Sequence, residues 1–429
     1  MSLAQPVRRC PVQLLLALVL ALVGAAAGWA QTAPSGASAF NHVQHLAGVI
    51  GPRVAGTPGD RQAAEYMATQ FRQYGYAVEF HTFQFPFFEV RQVQMQVAGA
   101  QPRTIQAEAL LLTAATPAAG LEAEVVSVGL GRPEDFEGRR VTGAIALAER
   151  GGLTFREKMV NAASRGAVAI IVYNNQPGIV PGTLQQRAEI PAVTVSQDDG
   201  RQLVDAAQAG SLRVRLMVDV VNETRSTANV VATKRGTTRS HEIIVIGGHF
   251  DSVPRSPGAN DNASGVATLM EAARVLATVP TARTIQFVPF SGEELGLFGS
   301  AAFANERRQG VVAMINLDMV GWGERLMVGN SPGRDSSAVD TALQTAQRLG
   351  IEVNRFRAGA SDHVSFERHG IPTVFFHRGV DPAYHRPADV PANVDPKHLE
   401  EAARLLVALI QDLSQARSSA TPRRYSQRF

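Results

Sequence analysis

Four short runs constrain this chain most: "EIIVIGG" (242–248), "TIQFVPF" (284–290), "VAMINLD" (312–318) and "IPTVFF" (371–376). Each is nearly continuous in apolar residues instead of alternating, the pattern of strands covered on both faces. Segments of helical spacing separate and follow them: "SGVATLMEAARVLAT" (264–278), "SSAVDTALQTAQRLG" (336–350) and "DPKHLEEAARLLVALIQDL" (395–413). Asp395 is placed to cap the last of these, and Pro396 suits its first turn. Strand and helix in alternation predict an α/β domain with a largely parallel central sheet flanked by helices.

Upstream the texture differs. "AFNHVQHLAGV" (39–49) and "GDRQAAEYMATQFRQYG" (59–75) have helical spacing, and "YAVEFHTFQF" (76–85) alternates like a strand. From 88 to 225 the runs are short and β-like, with one clear helix, "TFREKMVNAASRG" (154–166), before the strand "AVAIIVYNN" (167–175). Two helices are too few to stand alone. Residues 38–87 are therefore expected to join 226–416 in the α/β domain, with 88–225 an inserted α+β domain.

The length of 429 residues is ample for about two to three domains. With 45% hydrophobic and 18% charged residues the chain is ordinary globular material. A net charge of +3 with scattered arginines gives no reason to expect a nucleic-acid partner, and 417–429 reads as a flexible basic tail. Arg8 and Arg9 precede the apolar stretch "PVQLLLALVLALVGAAAGWA" (11–30), which predicts a signal peptide over 1–30 and a secreted or periplasmic protein. An uncleaved anchor is the alternative. The only cysteine, Cys10, lies ahead of that stretch, so lipid attachment is not expected. After cleavage the chain would hold no cysteine and no membrane segment, and any metal site must use nitrogen and oxygen ligands.

Ligands of open α/β sheets collect at the carboxyl ends of the strands. Here those ends deliver His249 and Asp251, then Glu293 and Glu294, then Asp318, then Tyr384, His385 and Asp389, while the loop "SPGANDNASG" (256–265) adds Asp261. Singly, each has a plain explanation as a cap, a turn or a surface residue. Together they place carboxylates and imidazoles on one edge without matching lysines or arginines, which points to a metal centre. Two histidines and three carboxylates fit zinc. Two divalent ions balance Asp261, Glu294, Asp318 and a bridging hydroxide, whereas one ion leaves the site anionic. His249 and Asp251 are two apart, so the carboxylate is expected to accept from the second ring nitrogen of His249. Glu293 and Glu294 diverge as neighbours: Glu294 reads as a ligand, Glu293 as a general base.

The motifs "HFDS" (249–252), "GANDNASG" (258–265), "SGEELG" (291–296), "NLDM" (316–319) and "YHRPAD" (384–389) resemble the co-catalytic zinc exopeptidases, which include secreted bacterial leucine aminopeptidases and glutamate carboxypeptidases. The resemblance implies one zinc on His249, Asp261 and Asp318, a second on Asp261, Glu294 and His385, Glu293 as base, and Tyr384 as donor to an oxyanion. "GASDHVSF" (359–366) also looks like a family segment; His363 is not assigned to metal, and Asp362 is at most a supporting or substrate contact. His377 could compete with His385, but the "YHRPAD" context favours His385. The stretch 143–175, followed by "IPAVTVSQDDG" (190–200), resembles a protease-associated domain, which interrupts the peptidase domain in related exopeptidases.

The intact ligand set argues against a dead homologue of the transferrin-receptor kind and against a one-zinc glutaminyl cyclase. The expected function is a secreted dizinc aminopeptidase acting on peptides. The alternatives are a carboxypeptidase or dipeptidase, with Arg355, Arg357 or Arg378 receiving a substrate carboxylate, and a non-catalytic peptide-binding protein.

Overall fold

The computed structural model describes residues 33–98, 102–210 and 212–416. The expected signal segment 1–30 and tail 417–429 lie outside the described residues. The chain divides into two units, one formed by residues up to 84 together with 226 onward, the other by Phe85–Arg225.

In the first unit the strands Arg239–His249, Arg283–Phe290, Val311–Leu317 and Thr373–His377 are the four apolar runs, paired in parallel. Their alternation splits them between two cores. Ile244, Ile246, Ile285, Phe287, Ile315 and Leu317 join the core shared with the N-terminal helices and Pro396–Gln415. Val245, Val288, Phe290 and Met314 face the other way, against Phe303 and Phe366. Both faces are thus covered, which is why the runs are continuously apolar. Strands Leu326–Asn330 and Val353–Arg357 extend the sheet beyond Thr373–His377, Leu326–Asn330 antiparallel to it. These two were not evident as strands in the sequence.

Helix Pro396–Gln415 buries Leu399, Ala402, Leu406, Leu409 and Leu413 along one stripe, and its Asp395 cap accepts from Lys397 N at 2.8 Å. Helix Gly36–Val43 is held by Ser35 N, which donates to Glu271 Oε1 at 2.6 Å. His42 packs on helix Pro58–Gln73, its ring nitrogens 2.7 Å from the Tyr66 hydroxyl and 3.2 Å from the Tyr74 hydroxyl.

The second unit carries parallel strands Leu121–Ser127, Ile145–Glu149, Ala169–Tyr173 and Ala192–Val195 in that order, with helices Phe155–Ser164 and Gln197–Ala209. Thr154 and Glu157 cap the first helix reciprocally. Among the described residues no helix is long and apolar enough to cross a membrane.

Burial pushes the His42 imidazole down to about 4, against the opposing charge of Glu271. An unfolded histidine takes a proton near pH 6.5, so stability is full above that value and falls as pH drops toward 4, by on the order of 3 kcal/mol. Urea unfolding of wild type and His42→Gln should therefore diverge above pH 6.5 and converge toward pH 4. Parallel curves across that range would contradict this role.

Candidate metal centre

Parallel register brings the carboxyl ends of the strands level: Phe290 pairs with His249, Asn316 with Gly247 and Leu317 with Phe376. A Cβ on Gly248 would lie 2.4 Å from the Leu317 carbonyl, so only glycine permits this approach. The residues that follow each strand, with the buried turn Ala259–Ala263, then meet at one edge.

Asp261 is the meeting point. Its Oδ1 lies 3.2 Å from His249 Nε2, and its Oδ2 lies 3.2 Å from His385 Nε2. Asp318 Oδ1 completes the first group at 3.4 Å from His249 Nε2. Glu294 Oε2 completes the second at 3.0 Å from His385 Nε2. The two triads, His249–Asp261–Asp318 and Asp261–Glu294–His385, each offer ligand atoms within 4.8 Å of one another. Buried Glu294 Oε1 and Asp318 Oδ1 have no hydrogen-bond partner, an arrangement that is costly unless a cation completes it. The donor set of nitrogen and oxygen atoms therefore fits divalent zinc.

Charge is redistributed accordingly. Burial raises the Asp261 carboxyl, but hydrogen bonds from His249 and His385 outweigh it and hold it below the ordinary range. His385 rises to about 10, chiefly through its hydrogen bonds to Asp261 and Glu294. His249 rises well above its usual value: burial opposes its charge, and Glu293 and Asp318 overcome that. Burial also raises Glu293 well above the carboxylate range, helped by Asp318, Asp362 and Glu294. Glu293 belongs to neither triad.

Asp251 lies against His249 through both its backbone and its side chain. His249 Nδ1 lies 3.1 Å from the Asp251 backbone carbonyl, and the Asp251 carboxylate is farther, at 3.7 Å. That carboxylate accepts the backbone N–H of Glu293 at 3.1 Å and of Glu294 at 3.3 Å. It therefore seats the glutamate pair more directly than it orients the histidine.

Tyr384 is 39% exposed and stacks on His385 with centroids 3.8 Å apart. Burial and the surrounding carboxylates raise its phenol, so it remains a hydrogen-bond donor. His377 stays outside both triads, with Nδ1 2.8 Å from the Asp318 carbonyl. His363 is buried against Phe375 with centroids 4.8 Å apart, also outside them. Asp362 is fully buried near the centre, and burial raises it to about 7. Arg378 is engaged with Glu401 and the carbonyls of Gly323 and Glu324, and Arg355 with Asp340.

The supporting roles of Asn262 and Asp389 were not legible in the sequence. Asn262 Oδ1 accepts the Gly265 N–H in the first turn of helix Ser264–Leu276 at 3.0 Å. Asp389 accepts Asn260 N at 2.8 Å and Asp261 N at 3.1 Å. The repeated asparagines of "GANDN" were the available signal.

The profile of peptidase family M28 matches residues 229–410, and that of the PA domain matches 112–203. Aminopeptidase YwaD of Bacillus subtilis (strain 168) is 32% identical over 393 residues, covering 87% of this chain and 84% of the relative. The aminopeptidase from Aneurinibacillus sp. strain AM-1 superposes with a TM-score of 0.74 at 33% identity, over 89% of this chain and 94% of the other. BSAP, a zinc aminopeptidase from Bacillus subtilis, gives 0.72 at 31% identity, over 90% and 97%. With this coverage added to the converging site, the chain belongs to peptidase family M28, with a PA domain inserted in the peptidase fold.

Proposed function

We propose that this chain is a secreted zinc-dependent aminopeptidase that removes residues from the amino end of peptides. The observation that carries the reading is the sharing of Asp261 between two triads while Glu293 is left out of both. The relatives just described are named as aminopeptidases, one of them as a zinc enzyme. Of the three arginines considered for a substrate carboxylate, Arg355 and Arg378 are engaged with Asp340 and Glu401.

His249, Asp261 and Asp318 would hold one zinc and Asp261, Glu294 and His385 the second. Bound zinc acidifies water and polarises a carbonyl. Glu293 takes a proton from the attacking water and passes it to the leaving amine. Tyr384, kept protonated, donates to the oxyanion of the tetrahedral intermediate. Asp251 holds the N–H groups of Glu293 and Glu294, so the base and the ligand keep their divergent directions.

Mass spectrometry of an unblocked peptide treated with the zinc-loaded protein should show stepwise loss from the amino end. Loss from the carboxyl end would establish a carboxypeptidase on the same site. Glu293→Gln should lower kcat by about 10²–10⁴-fold with zinc content unchanged; a variant retaining most turnover would point to a binding protein or another base. Asp251→Asn, which leaves one N–H without its acceptor, should cost roughly 10–100-fold in activity or zinc affinity, measured by steady-state kinetics and chelator competition.

A further inference from the structure

The loop that carries Glu293 and Glu294 is closed at both ends by one side chain outside it. Asn229 is fully buried in strand Arg213–Lys234. Its Oδ1 accepts Ser291 N at 3.1 Å, and its Nδ2 donates to the Gly299 carbonyl at 2.9 Å. The same Nδ2 meets His81 Nδ1 at 3.1 Å. His81 Nε2 lies 2.9 Å from Glu306 Oε2, so that nitrogen donates and Nδ1 is left as the acceptor for Asn229. Both ends of the amide are therefore used, and its orientation is fixed.

Beneath the same loop, the Ser291 hydroxyl donates to Asp60 Oδ1 at 2.7 Å. The other oxygen of Asp60 accepts Gly56 N at 2.9 Å and the Thr227 hydroxyl. The loop ends touch: a Cβ on Gly299 would lie 2.2 Å from the Ser291 carbonyl and 2.4 Å from Asn229 Oδ1. In between, Asp251 holds the N–H groups of the two glutamates.

We propose that Asn229 and Asp60 are positioning residues of the reaction, stapling Ser291 to Gly299 so that Glu293 and Glu294 stand on a loop of fixed span. The need is electrostatic. Two adjacent carboxylates beside Asp251 and Asp318 repel one another until cations arrive, and a loop free at either end would relax by turning them outward. Asp251 grips only the middle of the loop. Asn229 and Asp60 supply the ends, and neither touches a ligand atom of either triad. The effect must therefore pass through the backbone.

The inference rests on the zinc aminopeptidase reading. Two variants open the staple separately. Ser291→Ala removes the donor to Asp60, and Asn229→Asp keeps its shape but sets an oxygen against the Gly299 carbonyl. Zinc release to a competing chelator, kcat and KM on an aminoacyl anilide, and the thermal midpoint of the zinc-free protein would be measured on the full chain. One of two zinc equivalents should leave at roughly tenfold lower chelator concentration, with kcat lowered about 10–100-fold and KM within about twofold. Wild-type zinc release and kcat in both variants would overturn the inference. So would a fall in thermal midpoint alone, with turnover per zinc-loaded molecule unchanged, because that is a purely structural role. A wild-type chain that neither binds zinc nor cleaves defeats the functional reading and this inference with it; a wild type that does both beside unaffected variants defeats this inference alone.

Discussion

Asp261 sets the terms for the rest of the molecule. It is a carboxylate only 4% exposed whose two oxygens face two different histidines. A buried acid in that position is expensive unless every neighbour is arranged for it. Asn262 accepts the Gly265 N–H, Asp389 takes the Asp261 N–H, and Gly248 lets the Leu317 backbone come close enough for Asp318 to arrive. The parallel register of the sheet then brings His249 and Asp318 to one side, while the loops bring Glu294 and His385 to the other. Glu294 Oε1 and Asp318 Oδ1, one from each triad, stay buried without a hydrogen-bond partner.

The surrounding charge follows the same logic. Arg53 is fully buried, and it donates to the carbonyls of Leu46, Phe250, Gly51, Pro257 and Gly258. Burial lowers its guanidinium to about 10, opposed by Asp251, Asp389, Asp261 and Glu294. A cation so placed ties the segment before helix Pro58–Gln73 to the loop leading into Asp261, and it offsets part of the acid cluster without occupying a ligand position. Asp60 is not among the acids that act on Arg53, and burial raises it to about 6. Its hydrogen bonds go to the root of the glutamate loop instead. Stability and chemistry thus draw on the same buried polar groups, a common arrangement where geometry must be held against repulsion.

Much of this was legible in the sequence, because the strands are buried on both faces and so announce themselves as apolar runs with chemistry at their ends. Glu294, Asp318, His249 and His385 followed from reading those ends and Asp261 from the loop before a helix, and the five lie together in the structure. Leu326–Asn330 and Val353–Arg357 escaped notice because they are short and the second is polar and partly exposed. That the Asp251 carboxylate also seats Glu293 and Glu294 was not legible, since residue spacing indicates which way a side chain points but not which backbone N–H folds back to meet it. Arg53, Asp60 and Asn229 gave no signal of their own. Asp60 looks like an ordinary first-turn acid, and Asn229 acts on residues 62 and 70 positions away.

Asp261 belongs to both triads, so two cations would share it. Crystals of the zinc-loaded chain, measured with anomalous scattering at the zinc absorption edge, test this sharing directly. Two peaks are predicted, one among His249, Asp261 and Asp318 and the other among Asp261, Glu294 and His385. A single peak, or peaks away from Asp261, would contradict the shared-carboxylate account.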